Sequence, residues 1–179
     1  MYENWQLWGT KPELESKFNI ERLKGNLSDM ESTKQLSNLI SDCYEPGMKI
    51  LDVGCNVGHY LVGLRKNFPT LDYTGVDAYT DYINEAKKAF SSDINAHFEV
   101  RDIFKPILPD TKFDIVYCCN VLLHLPDFKI PITNLLNNTK KICFIRTLIS
   151  DHTSIVKSPL VDIYDENGEP KEFWYFNTW

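Results

Sequence analysis

Three aspartates stand at or beside the ends of apolar runs, and they are the residues of this sequence best suited to hold a polar ligand. Asp52 lies in Lys-Ile-Leu-Asp-Val-Gly, Asp77 closes Tyr-Thr-Gly-Val-Asp, and Asp102 follows Phe-Glu-Val-Arg. Asp77 comes about 20 residues after a glycine-containing turn, where an acid at a strand tip can accept both hydroxyls of a ribose. Asp52 is placed inside the turn region that follows the first apolar run, where it would repel a pyrophosphate but could orient the cationic end of an amino acid, directly or through water. Asp102 could accept from an adenine amino group while Ile103 covers the ring.

Two of these acids also have a purely structural interpretation. Asp77 could cap the helix that begins near Thr80, although Thr80 itself could serve as that cap. Asp102 could be an ordinary solvated acid in the loop after the third apolar run. The sequence leaves these interpretations open beside the ligand-binding ones.

The turn that follows the first apolar run contains two glycines, Gly54 and Gly58, with Cys55 and Asn56 between them. It departs from the G-x-G-x-x-G pattern of dinucleotide sites, because Asn56 stands where a middle glycine is common. Asparagine tolerates a left-handed backbone better than most residues, so a tight turn remains possible. The apolar run before the turn and the helical spacing after it place a helix N-terminus at the carboxyl end of a strand, where α/β proteins bind nucleotide-like ligands. The alternative is a strand-to-helix turn that binds nothing.

Two histidines are candidates for the general base that a hydroxyl nucleophile would need. His124 follows the fourth apolar run and is the better placed, while His152 comes after the fifth. The alternative for His124 is a packing role in the segment Leu-His-Leu-Pro. No Cys-x-x-Cys pair and no cluster of histidines and carboxylates is present in the sequence, so we expect no metal site. The cysteines are five, an odd number, and we expect reduced thiols rather than disulfides.

Five apolar runs predict five strands that alternate with helices along the chain. The strands are expected near 50–53, 73–77, 96–101, 113–120 and 141–148, and the helices that follow the first, second and fourth strands near 57–68, 80–90 and 127–137. Two further helices precede the first strand, and Ser28 to Glu31 resembles a capping box for the second of them. This order predicts an α/β fold with a doubly wound, mostly parallel sheet. We expect a helical cap at 1–45, the α/β core at 46–150 and a lid or hairpin at 151–179, all in one domain.

The composition is that of an ordinary globular domain, with 43% hydrophobic and 25% charged residues among 179. The net charge of −6 and the pI near 5.2 disfavour nucleic-acid binding, because no basic stripe offsets the repulsion. No apolar run approaches the roughly 20 residues of a membrane span, and the N-terminus lacks a signal-peptide pattern. We therefore expect a cytoplasmic protein with no membrane partner.

Four segments in this order resemble the class I S-adenosylmethionine-dependent methyltransferases, in particular their small-molecule methyltransferase domains. They are Ile-Leu-Asp-Val-Gly-Cys-Asn-Val-Gly, Gly-Val-Asp77, Arg-Asp102-Ile103 and Asn120-Val-Leu-Leu-His-Leu-Pro-Asp, within 49–148. The resemblance implies a Rossmann-like fold and S-adenosylmethionine as cofactor. The cofactor-binding residues that it implies are Asp52, Gly54, Cys55, Gly58, Asp77, Ala78, Asp102, Ile103 and Asn120. The first four would border the methionine part, Asp77 would hold the ribose, Asp102 and Ile103 would frame the adenine, and Asn120 would line the pocket floor.

The C-terminal part departs from that family. Only 31 residues follow Leu148, whereas family members usually continue into another helix and a closing pair of antiparallel strands. Residues 159–164 and 172–177 could pair as a hairpin about a turn with Asn-Gly, a strong turn signal. We expect this hairpin to act as a lid, and a second copy of the chain could cover the open sheet edge. Trp5 and Trp8 could pack on the domain or close over the ligand.

The expected function is S-adenosylmethionine-dependent methyl transfer to a small polar metabolite or a glycan hydroxyl. The acidic balance and the aromatic segment 173–176 favour such an acceptor over nucleic acid. Two alternatives remain: a non-catalytic or truncated S-adenosylmethionine-binding or dimerisation module, and an NAD-dependent oxidoreductase. The oxidoreductase is less favoured, because it would prefer the full glycine pattern and no acid at Asp52.

Overall fold

The computed structural model describes residues 12–159, 166–168 and 173–179, with the backbone alone for 12–16, 158, 159, 173 and 174. Trp5 and Trp8, and the flap or cover predicted from them, lie outside the described residues. Most of the segment predicted as the first hairpin strand, 160–164, lies outside them too.

A five-stranded parallel sheet forms the centre of the fold. Its strands are β1 (Lys49–Val53), β2 (Asp72–Asp77), β3 (Ala96–Val100), β4 (Phe113–Cys119) and β5 (Thr139–Arg146), in the spatial order β3-β2-β1-β4-β5. Every pairing between neighbours is parallel. The chain changes direction across the sheet between β1 and β4, and open α/β sheets bind ligands at the carboxyl ends of strands beside such a switch point. The prediction of a doubly wound parallel sheet is confirmed.

Helices cover both faces of the sheet. They are α1 (Pro12–Leu23), α2 (Glu31–Ser41), α3 (His59–Arg65), α4 (Thr80–Ala89) and α5 (Lys129–Asn138), with a short 3-10 helix at Leu122–His124. Alternate residues of β1 enter two apolar clusters: Ile50 packs with residues of α2, α3 and α4, and Leu51 packs with Leu135 of α5. Because both faces are buried, the strand has to be apolar almost throughout. None of the helices in the described part of the chain has the length and apolar character of a membrane span.

The N-terminus of α2 differs from the prediction. Met30 is the cap residue, and no side chain supplies the capping hydrogen bond expected from a box between Ser28 and Glu31. The carboxylate of the intervening Asp29 instead accepts from Nζ of Lys66 at 2.5 Å, beside the end of α3. Asp29, which the local pattern placed at the start of the helix, therefore forms an ion pair with a residue from a distant part of the chain.

An antiparallel hairpin follows the sheet. β6 (Ser154–Pro159) pairs with β7 (Phe173–Thr178), so the predicted hairpin is present, but its first strand begins earlier in the chain than predicted. The ladder extends toward β5, since the amide of Ser150 donates to the carbonyl of Trp179 at 3.0 Å and the amide of Trp179 donates to Leu148 at 3.1 Å. These bonds attach the end of β7 to the segment that follows β5. The outer edge of β5 itself has no partner strand among the described residues.

Candidate functional site

Gly54 begins the turn after β1, in a backbone conformation that favours glycine. Its φ is +84°, and its amide donates to the carbonyl of Val76 in β2 at 2.8 Å. A Cβ at this position would lie 2.2 Å from Cγ2 of Val121, which follows β4. Because Gly54 has no side chain, the segment after β4 packs directly on the glycine turn.

Asp77 and Asn56 join the tip of β2 to the glycine turn. The amide of Asn56 donates to Oδ2 of Asp77 at 2.9 Å, and the amide of Tyr79 donates to Oδ1 at 3.0 Å. Asn56 adopts the left-handed backbone expected of it, with a φ of +52°, and its side-chain oxygen accepts from the amide of Val57 at 2.8 Å. Burial raises the pKa of Asp77, and the backbone donors oppose this rise.

Asp77 does not act as the cap of α4. Tyr79 is the cap residue of that helix, with no side-chain capping hydrogen bond, and Thr80 is its first helical residue. The carboxylate faces backbone amides of the turn and of the strand tip instead. A carboxylate has about four acceptor positions, so two backbone donors leave room for the hydroxyl groups of a ligand.

Asp52 lies in β1 rather than in the turn where the sequence placed it. The residue is only 2% exposed, and its Oδ2 accepts from the hydroxyls of Tyr73 at 2.7 Å and Tyr117 at 2.9 Å. Burial raises the pKa of this carboxyl to about 7, against the opposing effect of the two hydroxyl donors. The prediction of a turn position is wrong because the strand continues to Val53 and directs the Asp52 side chain inward.

Cys55 also directs its side chain inward. It is 1% exposed and packs in the apolar cluster of Ile50, where burial raises the pKa of its thiol. Only the backbone of Cys55 is therefore available to border a ligand. All five cysteines are free thiols.

Asp102 and Ile103 follow β3, on the same edge of the sheet as Asp77. Oδ1 of Asp102 accepts from the amide of Phe104 at 2.8 Å, and Oδ2 lies 3.8 Å from Nζ of Lys105. Ile103 is 7% exposed and packs in the apolar cluster on the α5 face. The carboxylate of Asp102 is thus partly exposed, whereas most of Ile103 is committed to the core.

The segment after β4 is tied to the end of β5. The amide of Asn120 donates to the carbonyl of Arg146 at 2.8 Å, and the guanidinium of Arg146 donates to Oδ1 of Asn120. Asn120 has a left-handed backbone, with a φ of +59°. Sequence reasoning missed Arg146, although a cation at the carboxyl end of a parallel strand is a signal that could have found it.

His124 lies in the short helix after β4, beside β7. Its Nδ1 is 3.0 Å from the carbonyl oxygen of Tyr175, and its ring centroid is 6.0 Å from that of Phe176. A carbonyl can only accept, so Nδ1 carries the proton and Nε2 is the acceptor nitrogen of the neutral ring. Burial lowers the pKa of His124, and the hydrogen bond to Tyr175 opposes this. His152 lies on the exposed segment between β5 and β6.

Sequence reasoning also missed α1 as a neighbour of the site. Nδ2 of Asn19 donates to the side-chain oxygen of Asn56 at 3.4 Å, and Nη1 of Arg22 donates to Oδ1 of Asn19 at 3.3 Å. α1 also packs on α3, which begins at the glycine turn. The spacing of apolar residues in α1 predicts a helix with an apolar face, but it does not say which turn the helix will contact.

The structure therefore brings Gly54, Asp77 and Asn120 together at the carboxyl ends of neighbouring strands, with Asp102 one strand further along. The side chains of Asp52 and Cys55 lie beneath this edge. In the parts of the chain that are described, no three histidine, cysteine or acidic side chains form a group that could hold a metal ion.

A family model for a methyltransferase domain matches residues 44–174, which is more than half of the chain. The chain belongs to the methyltransferase domain family. The resemblance drawn from the sequence motifs is thereby confirmed. Phosphoethanolamine N-methyltransferase 3 of Arabidopsis thaliana is 33% identical to this methyltransferase domain over 99 residues, which are 55% of the chain and 20% of that protein. The domain spans about a fifth of the length of three such plant relatives.

Solved structures share the fold of this methyltransferase domain. The plantazolicin methyltransferase BpumL in complex with SAH is similar with a TM-score of 0.60 and 21% identity, over 81% of this chain and 57% of that one. The cyclase SpnF is similar with a TM-score of 0.63 and 17% identity, over 93% of this chain and 67% of that one. At these identities the likeness establishes the Rossmann-like fold alone.

Proposed function

We propose that this methyltransferase domain binds S-adenosylmethionine and catalyses transfer of its methyl group to a small polar acceptor. The observation that carries the proposal is the hydrogen bond from Asn56 to Asp77, which joins the glycine turn to the tip of β2. An acid with open acceptor positions beside such a turn suits the hydroxyls of a ribose. The complex of BpumL with SAH, S-adenosylhomocysteine, supports the choice of cofactor, because this compound remains after the methyl group has left.

The residues at the strand ends fit the parts of this cofactor. Asp77 would hold the ribose with Ala78 beside it, Asp102 would accept from the adenine next to Ile103, and the backbone of Gly54, Cys55 and Gly58 would border the methionine part. Asn120 would line the floor of the pocket. Asp52 contributes from below, where its tyrosine contacts link β1 to β2 and β4 under the turn.

When bound, S-adenosylmethionine supplies a methyl group on a positively charged sulfur, and the electrons of the broken C–S bond return to that sulfur. The protein would hold the acceptor atom and the methyl carbon in line, in a pocket with little water. If the acceptor atom is a hydroxyl oxygen, Nε2 of His124 would take its proton. Because burial keeps the pKa of His124 below its ordinary value, its ring is neutral near pH 7 and able to accept that proton.

For the acceptor we propose a small polar metabolite or a glycan hydroxyl. The net charge of −6 opposes the approach of a nucleic acid. Phe176 in β7 is 50% exposed and close to His124, and such an aromatic surface suits a small ligand or a sugar ring. The Arabidopsis thaliana relative is named for phosphoethanolamine, which is also small and polar.

A second candidate is a domain with this fold that transfers no methyl group. The similarity of SpnF, named as a cyclase, over 93% of the chain is the observation that favours it. A non-catalytic S-adenosylmethionine-binding module belongs to the same group of possibilities. An NAD-dependent oxidoreductase is less favoured, because Asn56 replaces the middle glycine of the dinucleotide pattern.

Calorimetry and a turnover assay separate these candidates. We expect S-adenosylmethionine and S-adenosylhomocysteine to bind and NAD not to bind, and binding of NAD alone would overturn the proposal. Incubation with S-adenosylmethionine and a panel of small hydroxyl and amine acceptors should then release S-adenosylhomocysteine. Cofactor binding without release for any acceptor would favour the non-catalytic module.

We also propose that a second copy of the chain covers the outer edge of β5. That edge has no partner among the described strands, and the nearby Ile145 and Leu148 are 36% and 41% exposed. An open, partly apolar edge favours pairing with another strand. Light scattering should show a dimer that Ile145→Lys converts to a monomer, and a monomeric wild-type chain at all concentrations would contradict this.

A further inference from the structure

Two polar side-chain atoms near the glycine turn are buried and have no hydrogen-bond partner. They are Nδ1 of His59, at the start of α3, and Nε of Arg22, in the last turn of α1. His59 is only 8% exposed. Buried polar groups are nearly always paired in folded proteins, so two unpaired atoms in neighbouring side chains indicate the place of a further group.

The charge of this place indicates what kind of ligand group it suits. No carboxylate of the described residues forms an ion pair with Arg22, whose Nη1 donates to the neutral side chain of Asn19. Arg22 lies on α1 and His59 on α3, and these two helices pack against each other. The positive charge of Arg22 adds to burial in lowering the pKa of His59 to about 4, so the imidazole is neutral. A guanidinium and a neutral imidazole can both donate to an anion.

A chain of hydrogen bonds connects this place to the ribose acid. Arg22 donates to Asn19, Asn19 donates to Asn56 at 3.4 Å, and the amide of Asn56 donates to Asp77 at 2.9 Å. A ligand whose ribose is held at Asp77 and whose other end follows the glycine turn would therefore bring that end toward Arg22. In S-adenosylmethionine, this end is an amino acid with a carboxylate.

We propose that Arg22 and His59 bind the carboxylate of the amino-acid end of S-adenosylmethionine. The inference rests on the proposed cofactor and assigns it two side chains that the sequence motifs do not contain. It also gives α1 a role in the site, because Arg22 reaches the ligand only while α1 lies over the glycine turn.

Calorimetry with two ligands tests the inference: S-adenosylhomocysteine, and its decarboxylated analogue, which keeps the adenosine, the sulfur and the amino group. We expect the wild-type chain to bind S-adenosylhomocysteine about 10- to 100-fold more tightly than the analogue. Arg22→Met should remove this preference by weakening S-adenosylhomocysteine alone, and Arg22→Lys should keep part of it. Lys24→Met removes a nearby exposed charge that pairs with the half-buried Glu21 and should leave both affinities unchanged.

The possible failures are distinguishable. If the wild-type chain binds neither ligand, the proposed cofactor and the inference both fail. If it binds the two ligands equally, or if Arg22→Met weakens both by the same factor, the inference fails and the cofactor stands. Should Arg22→Met not fold, nitrogen NMR of His59 in the wild-type chain decides. S-adenosylhomocysteine should shift the ring resonances and raise the pKa of His59, the analogue should not, and an unchanged pKa would overturn the inference.

Discussion

The amide nitrogen of Asn56 lies 2.9 Å from Oδ2 of Asp77, so one hydrogen bond holds the glycine turn after β1 to the tip of β2. Asn56 stands where a glycine is common, yet its side chain strengthens the turn. Its oxygen accepts from the amide of Val57 at 2.8 Å and from the side chain of Asn19 at 3.4 Å. A glycine could form neither contact, so the residue that departs from the usual pattern ties α1 to the turn.

Asp77→Ala should weaken binding of S-adenosylhomocysteine by about 1–3 kcal/mol, because the ribose hydroxyls lose a charged acceptor. Thermal unfolding should also occur at a lower temperature, since two backbone amides lose their partner. Asp72→Ala, at the other end of β2, is the matched control and should leave the affinity unchanged. Calorimetry that finds equal affinities for wild type and Asp77→Ala would refute the ribose assignment.

Gly54→Ala should lower the free energy of unfolding by roughly 2–4 kcal/mol, since it adds backbone strain and a clash with Val121. Gly47→Ala is the control for strain alone, because its φ is +92° and nothing lies within 4 Å of an added Cβ. Adding Val121→Ala to Gly54→Ala should restore the part of the free energy of unfolding that is lost through the clash. Urea unfolding that shows the same loss for Gly54→Ala and Gly47→Ala would mean that the contact with Val121 is unimportant.

His124→Ala should lower turnover by roughly 10²–10⁴ if oxygen is the nucleophile, and should leave the affinity for S-adenosylhomocysteine nearly intact. His152→Ala, on an exposed segment, should change neither quantity. As the pH is lowered, activity of the wild-type enzyme should fall when His124 becomes protonated. This loss should occur below the ordinary histidine pKa, because burial lowers the pKa of His124. Full turnover in His124→Ala would leave proximity alone as the source of catalysis.

Two buried groups should give the free energy of unfolding opposite dependences on pH. The pKa of Asp52 is about 7 in the fold and 3.8 ordinarily, so its contribution is complete at low pH and is lost as pH rises toward 7. The pKa of His59 is about 4 in the fold and 6.5 ordinarily, so its contribution is complete at high pH and is lost as pH falls toward 4.

Urea unfolding of Asp52→Asn and His59→Gln between pH 4.5 and about 6.5, without ligand, separates the two effects. As pH rises, the stability advantage of wild type over Asp52→Asn should shrink, and its advantage over His59→Gln should grow. Each slope is at most about 1.4 kcal/mol per pH unit. Advantages that stay constant with pH would show that neither group titrates differently in the folded and unfolded chains.

Asn177→Ala should lower the free energy of unfolding by about 1–3 kcal/mol, because a fully buried amide would no longer bond Leu125, which directly follows the short helix after β4. Nδ2 of Asn177 donates to the carbonyl of Leu125 at 2.7 Å, next to the bond from Nε1 of Trp179 to Leu122 at 3.1 Å. The exposed Asn137→Ala is the control. Limited proteolysis should cut the hairpin faster in Asn177→Ala, and unchanged cleavage would argue against this anchor.

Sequence alone was sufficient for the five-strand parallel sheet and for Asp77 at the tip of its second strand. Buried strands, glycine breaks and helical spacing are short-range patterns, because each depends on backbone geometry and on which faces are buried. Five strands separated by helices then allow few topologies. The strand ends, with their polar residues, necessarily meet at one edge of such a sheet.

Tertiary structure decided the rest of the site, since its partners are distant in the chain. The two hydroxyls that bond Asp52 come from residues 21 and 65 positions away in the chain. Asp52 is near the turn in sequence, but these contacts bury its side chain beneath the turn. The end of the hairpin is held by Trp179, whose backbone bonds Leu148 and Ser150 in the segment after β5. Arg22 adjoins the site only because α1 packs on α3. Local patterns cannot specify such contacts, because they are selected by how the faces of separate elements fit together.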